Sequence, residues 1–338
     1  MKAKIRVLTP VHIGSGQSIS PTGYFVDKTA GNFNFLKMDS LFQDPGFQPY
    51  QAKFLNEARF SRYIGDIVTN HQLLKKHVLY AIPASPQARQ TNPTEVKEFT
   101  KSAGRPFIPG SSLKGAIISA LLFHALKELY KDPREKTQIE SYLTTRDKKK
   151  VLNKKYSYLL DKAYNFLSEK RKVENNYPSY DSSTLNYPSP QGRFTNLLDV
   201  SDSSYLEPQS SLKIEYSQVS GGRRGGIPIL YETLKINVEA EVDIVSKISG
   251  LDERKILEIC HNFYEKVSAK DTASLSSTLS SYPYLLRIGQ GSSAFSTSFL
   301  ILAEELQLRG YWVKPPKTRK LIIDGSIQSS FGYIQLTI

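Results

Sequence analysis

Pro109-Gly110-Ser111-Ser112-Leu113-Lys114-Gly115 leads directly into an apolar run from Ala116 to Tyr130. Ser111 or Ser112 is placed to cap that run, a hydroxyl accepting a backbone N–H of the first turn. Gly110 permits a sharp entry, and Gly115 lets another backbone or a ligand come close. The helix so opened aims unsatisfied amides and a partial positive charge at whatever precedes it, and Lys114 adds a full charge in the first turn. Asp132-Pro133 predicts its end at Lys131. Apolar almost all round between Ala116 and Leu126, the helix is expected to be buried on more than one side. Two readings stay open at this point, a capped core helix and a phosphate-binding turn. A Walker loop is excluded, because the spacing G-x-x-x-x-G-K-S/T is absent.

The chain of 338 residues carries a formal net charge of +13. Such a surplus points to a polyanion, either nucleic acid or an acidic membrane surface. The single Cys260 excludes an intrachain disulfide and any cysteine-rich zinc site. His12, His71, His77, His124 and His261 form no i, i+4 pair with a carboxylate, so neither a metal nor another cofactor is expected. Met1 to Lys4 runs straight into a strand pattern, without a signal region. No run reaches the ~18 apolar residues of a membrane span, and the expected location is cytoplasmic.

Working outward from the anchor, Ala3, Ile5 and Val7 alternate with polar neighbours as a half-buried strand, ending at Thr9-Pro10. His12-Ile13-Gly14-Ser15-Gly16 follows as a flexible loop whose amides can line an anion. Tyr24 to Asp27 and Asn34 to Met38 read as a hairpin, residues 49–64 as helical, and Val78 to Ile82 and Val96 to Phe99 as strands. Beyond the central helix, Lys131 to Lys172 hold thirteen Lys/Arg against six Asp/Glu, including Lys148-Lys149-Lys150, on one or two amphipathic helices. A solvated helical face is the plain reading of any one of these lysines. Residues 175–193 read as a linker. The second half is richer in strands: Phe194 to Val200, Leu212 to Val219 and Ile227 to Ile244. Gly221-Gly222-Arg223-Arg224-Gly225-Gly226 between two of them is suited to wrap a phosphate backbone. A helix is expected over 254–267, a Ser-rich loop over 272–281, a strand from Tyr284 to Ile288, one helix over 293–308 and a last strand from Phe331. Gly291-Ser292-Ser293 echoes Gly110-Ser111-Ser112, an arrangement that fits two related β-α-β halves.

Three stretches together carry a resemblance. They are Leu8-Thr9-Pro10-Val11-His12-Ile13-Gly14-Ser15-Gly16, then Phe107-Ile108-Pro109-Gly110-Ser111-Ser112-Leu113-Lys114-Gly115, and Arg287-Ile288-Gly289-Gln290-Gly291. The chain resembles the RAMP superfamily of CRISPR effector complexes, and within it the fifth-subunit family of type III-A (Csm) complexes. Ile227-Pro228-Ile229-Leu230-Tyr231-Glu232 after the Gly-Arg loop adds to the likeness. The resemblance implies an α+β fold of two ferredoxin-like (RRM-like) halves with a basic helical insertion. The expected division is residues 1–130, an insertion and linker over 131–190, and 191–338. It implies a structural subunit that caps the filament, holds the 3′ part of the guide RNA and is needed for guide maturation. Its expected partners are guide RNA, with target RNA as a second candidate, the backbone RAMP and the small helical subunit, and no membrane. Expected RNA-binding residues are His12, Gly14, Ser15, Gly16, Ser111, Ser112, Lys114, Arg223, Arg224, Arg287 and Gln290. In the backbone relative an Asp after the first strand cuts target RNA. Asp27, Asp39 and Asp44 occupy the corresponding region here, and none can be placed on that Asp, so no catalytic residue is expected. One alternative is a metal-independent guide-processing endoribonuclease using His12. Another is a different RAMP position, backbone subunit or 5′-tag binder. RRM domains read RNA with aromatics on signature strands. That signature is missing, so binding is expected through glycine loops, helix N-termini and basic side chains.

If the insertion touches RNA, replacing Lys148, Lys149 and Lys150 by Glu weakens binding and flattens its salt dependence, by about 0.7 in slope per lost single-strand phosphate contact. An unchanged slope in a salt titration identifies these lysines as a solvated face.

Overall fold

The computed structural model describes residues 1–144, 149–168, 196–220, 228–310, 319–324 and 327–338. One sheet has the order β13 (Leu285–Arg287), β16 (Tyr333–Thr337), β1 (Lys2–Val7), β12 (Glu239–Ser246), β9 (Leu198–Val200). A six-stranded sheet has the order β15 (Ile327–Ser330), β14 (Arg319–Asp324), β10 (Leu212–Ser220), β11 (Ile229–Leu234), β6 (Val96–Phe99), β2 (Gly14–Ile19). A smaller sheet joins β3 (Tyr24–Asp27), β4 (Asn32–Leu36) and β5 (Val78–Pro83), and the ladder of β7 (Lys101–Ser102) and β8 (Arg105–Pro106) stands apart.

The strands do not sort by chain half. β1 lies antiparallel between β12 and β16, with Lys4 opposite both Glu241 and Thr337. β9 in turn lies antiparallel to β12. Hence β1 and β9, joined through the central helix Gly110–Leu129, run parallel with β12 between them. The alternation read in β1 holds: Ala3, Ile5 and Val7 are buried while Lys2 and Lys4 face solvent. The exposed row Glu239, Glu241, Asp243 and Val245 of β12 meets those lysines across the strand pair. This open face is therefore a ladder of opposite charges, and the residues it presents on β1 and β12 include no aromatic ring.

The central helix buries Leu113, Ile117, Ala120, Leu121, Ala125 and Leu126 completely. It packs on the helices Glu253–Ser268 and Lys149–Ser168. Phe123 meets Phe263 at 5.2 Å between ring centres, and the Tyr264 hydroxyl donates to the Ala116 carbonyl at 3.0 Å. Its start differs from expectation. Pro109 is the N-cap, Ser111 and Ser112 lie inside the first turn, and no side chain of the cap residue bonds a backbone amide. Instead the Gly110 amide donates to the Asp202 carboxylate at 2.7 Å. A Cβ on Gly110 would lie 2.4 Å from the Val200 carbonyl oxygen, so the helix start is pressed against the end of β9. Packing holds this helix, since burying one Leu or Ile contributes ~1.5–3 kcal/mol while a cap contributes ~1 kcal/mol.

The Ser-rich stretch is helix Ala273–Ser280, not a loop; Leu279 four residues after Leu275 is buried, and that contact overrides weak propensity. The single helix expected over 293–308 is two short ones, Ala294–Thr297 and Leu300–Glu305, so the Gly-Ser-Ser echo stops at the triplet. The flexible loop expected at Gly14 to Gly16 is edge strand β2, with a bulge between Gly14 and Ser18 that only pairing with β6 reveals. Helices between Met38 and Lys76 close a second small core on Phe25, Leu41, Phe47, Phe54 and Ile64. There half-buried His77 bridges Ser40 and Asp44, at 2.9 Å each. The one or two helices expected after the central helix are Pro133–Thr144 and Lys149–Ser168; Lys148 and residues 175–193 lie outside the described residues. Among the described residues no helix is long and apolar enough to cross a membrane.

Two glycines of the central helix give opposite expectations. Gly110→Ala drives a methyl into backbone and destabilises by about 1–3 kcal/mol. Gly115 has open space around its Cβ direction, so Gly115→Ala stabilises by about 0.5–1 kcal/mol through helix propensity. Urea unfolding of both variants checks the pair.

Candidate nucleic-acid interface

The carbonyls of Pro10, Val11, His12 and Ile13 accept backbone N–H groups from four separate places. Their donors are Gly332 at 3.0 Å, then Leu234, Gln290 and Thr100 at 2.8 Å each. Successive carbonyls of an extended chain point to opposite sides. Pro10 and His12 therefore engage turns beside β16 and β13, while Val11 and Ile13 engage β11 and the end of β6. The opening glycine stretch and the late Gly289-Gln290-Gly291 turn, from opposite ends of the chain, are thus neighbours. Gly289 has φ of +72°, and a Cβ there would lie 2.3 Å from the His12 carbonyl oxygen, so this approach requires glycine.

His12 is buried, 3% exposed. Its Nδ1–H donates to the Glu232 carbonyl at 2.7 Å, and its ring meets Tyr231 edge-on at 4.7 Å. Burial pulls its pKa down to about 4; the Glu232 hydrogen bond opposes this, and Lys320, Lys101 and Lys97 add to it. Neutral imidazole with its N–H engaged ties this segment to β11 and offers no proton to a substrate at neutral pH.

Two buried carboxylates organise the surroundings. Glu232 of β11 accepts from the Tyr80 hydroxyl at 2.7 Å, the Phe99 amide at 2.8 Å and the Lys101 ammonium. Asp271 accepts from the Tyr333 hydroxyl, from Ser330 at 2.9 Å and from Arg319 at 3.3 Å, and it pairs with Arg287 at 3.4 Å. Arg287 further donates to the carbonyls of Phe331 at 3.0 Å and Gly291 at 3.1 Å. Burial, and then the neighbouring acids, raise the Tyr80 hydroxyl far above its ordinary pKa; burial does the same for Tyr333, where Asp271 adds to it and Arg287 opposes it.

Beside the Arg287 knot a hollow of about 340 Å³ opens between the Gly289–Gly291 turn and β14, edged by Gln290, Ser292, Ser293, Arg319 and Lys320. The Lys320 ammonium lies 5.3 Å from the Tyr231 ring centre and donates to its hydroxyl at 2.7 Å. The sequence-derived residues thus fall into separate groups. His12, Arg287 and Gln290 come together; of these only the Gln290 side chain is exposed, its backbone amide holding His12. Gly14, Ser15 and Gly16 line the exposed edge of β2, where the Ser15 hydroxyl donates to Glu98 at 3.1 Å. Exposed Ser111, with half-buried Ser112 and Lys114, sits on the central helix at the end of β9. Arg223 and Arg224 lie outside the described residues. Sequence reading missed Glu232, Asp271, Arg319 and Lys320. Glu232 was signalled by an acid inside the otherwise apolar strand Ile229–Leu234, whereas Asp271, in the turn after helix Glu253–Ser268, and Arg319-Lys320, at the start of β14, carried no such signal. Among the described residues no group of three His, Cys, Asp or Glu is placed to hold a metal ion.

The fold thus packs a glycine turn against a buried His that follows β1, with Arg319 and Lys320 at the edge of the adjoining hollow. Residues 4–269 match the model of the RAMP superfamily, and the chain belongs to that family. It is similar to two curated proteins named CRISPR system Cms protein Csm5. The one from Methanocaldococcus jannaschii is 24% identical over 140 residues, 37% of this chain and 31% of that protein. The one from Streptococcus thermophilus is 27% identical over 135 residues, 36% of this chain and 37% of that protein. The matched stretch thus spans about a third of each relative. Two solved structures share the fold with a TM-score of 0.67. One is a chain of a Csm–crRNA–target RNA ternary complex of a type III-A CRISPR-Cas system, 21% identical and covered fully on both sides. The other is T. onnurineus Csm5, 22% identical, with 98% of this chain and 99% of that one covered.

The depressed pKa of His12 has a signed consequence. Between about 6.5 and about 4 the unfolded chain binds a proton at this position that the folded chain refuses. Stability from His12 is therefore full above the upper value and is lost as pH falls through the window, by up to roughly 3 kcal/mol. His12→Asn keeps a donor for the Glu232 carbonyl and removes the titration. Its urea-unfolding free energy should fall less between pH 7 and pH 4.5 than that of the unaltered chain; parallel curves would exclude His12 as the source.

Proposed function

We propose that this chain is the Csm5-type subunit of a type III-A CRISPR effector complex. In this reading it is a structural RNA-binding protein of the cytoplasm, without catalytic residues, that ends the filament of backbone RAMPs and holds the 3′ part of the guide RNA. The observation that carries the reading is the junction of the His12 and Gln290 turns beside a hollow rimmed by Arg319 and Lys320. That junction is held by backbone hydrogen bonds and sets an exposed Gln290 side chain beside half-buried Arg319 and Lys320, which are positioned by Asp271 and Tyr231. The names of the curated relatives, and the origin of one structural neighbour in a complex with guide and target RNA, support it. The ferredoxin-like reading attaches to the five-stranded sheet, where β1, the central helix, β9, β12, helix Glu253–Ser268 and β16 follow the split β-α-β order.

Direct RNA contact is assigned to Gly14, Ser15 and Gly16 on the β2 edge, to Gln290, Arg319 and Lys320 at the hollow, and to Ser111 and Lys114 on the central helix, with Arg223 and Arg224 as further basic contacts. His12 and Arg287 act one step behind, holding the turns. Guide RNA, target RNA, the backbone RAMP and the small helical subunit are the partners this role requires. The endoribonuclease alternative asks His12 for a proton that burial and the Glu232 carbonyl withhold.

Removing the gene from a cell that assembles the complex should leave guides longer than mature length, or complexes lacking the terminal end. Sizing the extracted RNA on a denaturing gel reads this out; guides of normal length in assembled complexes would overturn the proposal.

A further inference from the structure

Tyr205 is an exposed aromatic, 52% accessible, on the segment after β9. Its backbone is pinned on both sides. The Ser203 amide donates to the Ile108 carbonyl at 3.0 Å, and the Ile108 amide to the Ser203 hydroxyl at 2.9 Å. The Ser204 amide donates to Glu241 and the Leu206 amide to Pro106, both at 2.8 Å. The segment thus presents its ring at little further cost in backbone entropy. Phe107, two residues before Pro109, meets the ring edge-on at 5.8 Å, and the Arg105 guanidinium lies 5.5 Å from its centre.

The local charges decide what this corner takes. Arg105 is paired with Glu207 at 3.0 Å, and the first amide of the central helix is occupied by Asp202. A phosphate here would displace two carboxylates. What remains is the π-face of the tyrosine, and every nucleobase has a π-face to match it. A protein anchor would need an apolar surround that excludes water. Here Ser201, Asp202, Ser204 and Glu207 are all exposed around it.

We propose that Tyr205, backed by Phe107 and Arg105, is a stacking platform for a base of single-stranded RNA, without sequence preference. This rests on the reading of the chain as RNA-binding, and it places a base beside the helix whose Lys114 and Ser111 are assigned to the backbone.

The test is binding of fluorescent single-stranded RNA by the full chain, followed by anisotropy across a salt series. Tyr205→Ala should weaken binding roughly 5- to 150-fold, the range that ~1–3 kcal/mol of base stacking represents. Tyr205→Phe should bind as the unaltered chain does. The slope against salt should not change, since no phosphate contact is lost, and an oligomer of abasic nucleotides should bind all three proteins equally. Independently, 5-iodouridine RNA irradiated with the unaltered chain should crosslink to the peptide containing Tyr205. If the unaltered chain binds no RNA, the RNA-binding reading itself falls. If it binds RNA but Tyr205→Ala binds equally and the crosslink maps elsewhere, only the stacking platform falls. Loss of a co-purifying protein with RNA affinity intact would also overturn it, making the ring a protein contact.

Discussion

One extended tetrapeptide, Pro10 to Ile13, stitches the two large sheets together. Its carbonyls alternate between the turns of the five-stranded sheet and the strands of the six-stranded one. Each bond contributes only ~0.5–1.5 kcal/mol net, yet a buried carbonyl left unpaired costs ~1–3 kcal/mol. The four acceptors therefore constrain the geometry more than they stabilise it. If this segment shifted by one residue, the carbonyls would exchange sides and both sheets would lose their partners. The requirement for glycine at position 289, where any side chain would strike the His12 carbonyl, follows from that seam.

Charge burial is handled by the same region. Glu232 and Asp271 are nearly inaccessible, and such carboxylates persist only where several donors replace water. Each has them, from strands far apart in the chain. These knots tie β5 and β6 to β11, and the helix Glu253–Ser268 end to β14, β15 and β16. They also explain why basic residues near the glycine turns play different parts. Arg287 directs its nitrogens inward, whereas Arg319 and Lys320 stand at the rim of the hollow. A net charge of +13 is a property of the whole chain; which cations face a polyanion is a matter of which ones the core already holds.

The open face of the five-stranded sheet is equally informative. Lys2, Lys4 and Arg6 stand opposite Asp243, Glu241 and Glu239. Such a ladder stabilises the strand pair and presents no net field, so it suits neither a phosphate backbone nor a stacked base. In the proposed reading, RNA contact therefore lies off this sheet face, at the turns and the helix start.

Strong periodicity alone specifies β1, the hairpin of β3 and β4, the central helix and the helix Glu253–Ser268. The sequence also carried the three glycine motifs on which membership of the RAMP superfamily was legible. In those places local patterning and tertiary packing ask for the same residues. It did not determine the cap of the central helix, because Asp202, the residue that accepts the Gly110 amide, lies 92 positions away. Nor did it reveal that β2 is a strand, since glycine and serine carry no strand signal until β6 lies beside them. The roles of His12 and Arg287 were likewise open: a histidine or arginine beside glycines reads the same whether it meets a ligand or a carbonyl of its own chain. Only the tertiary structure decided between these, because burial and the alternation of carbonyls at Pro10 to Ile13 depend on strands brought together from both ends of the chain.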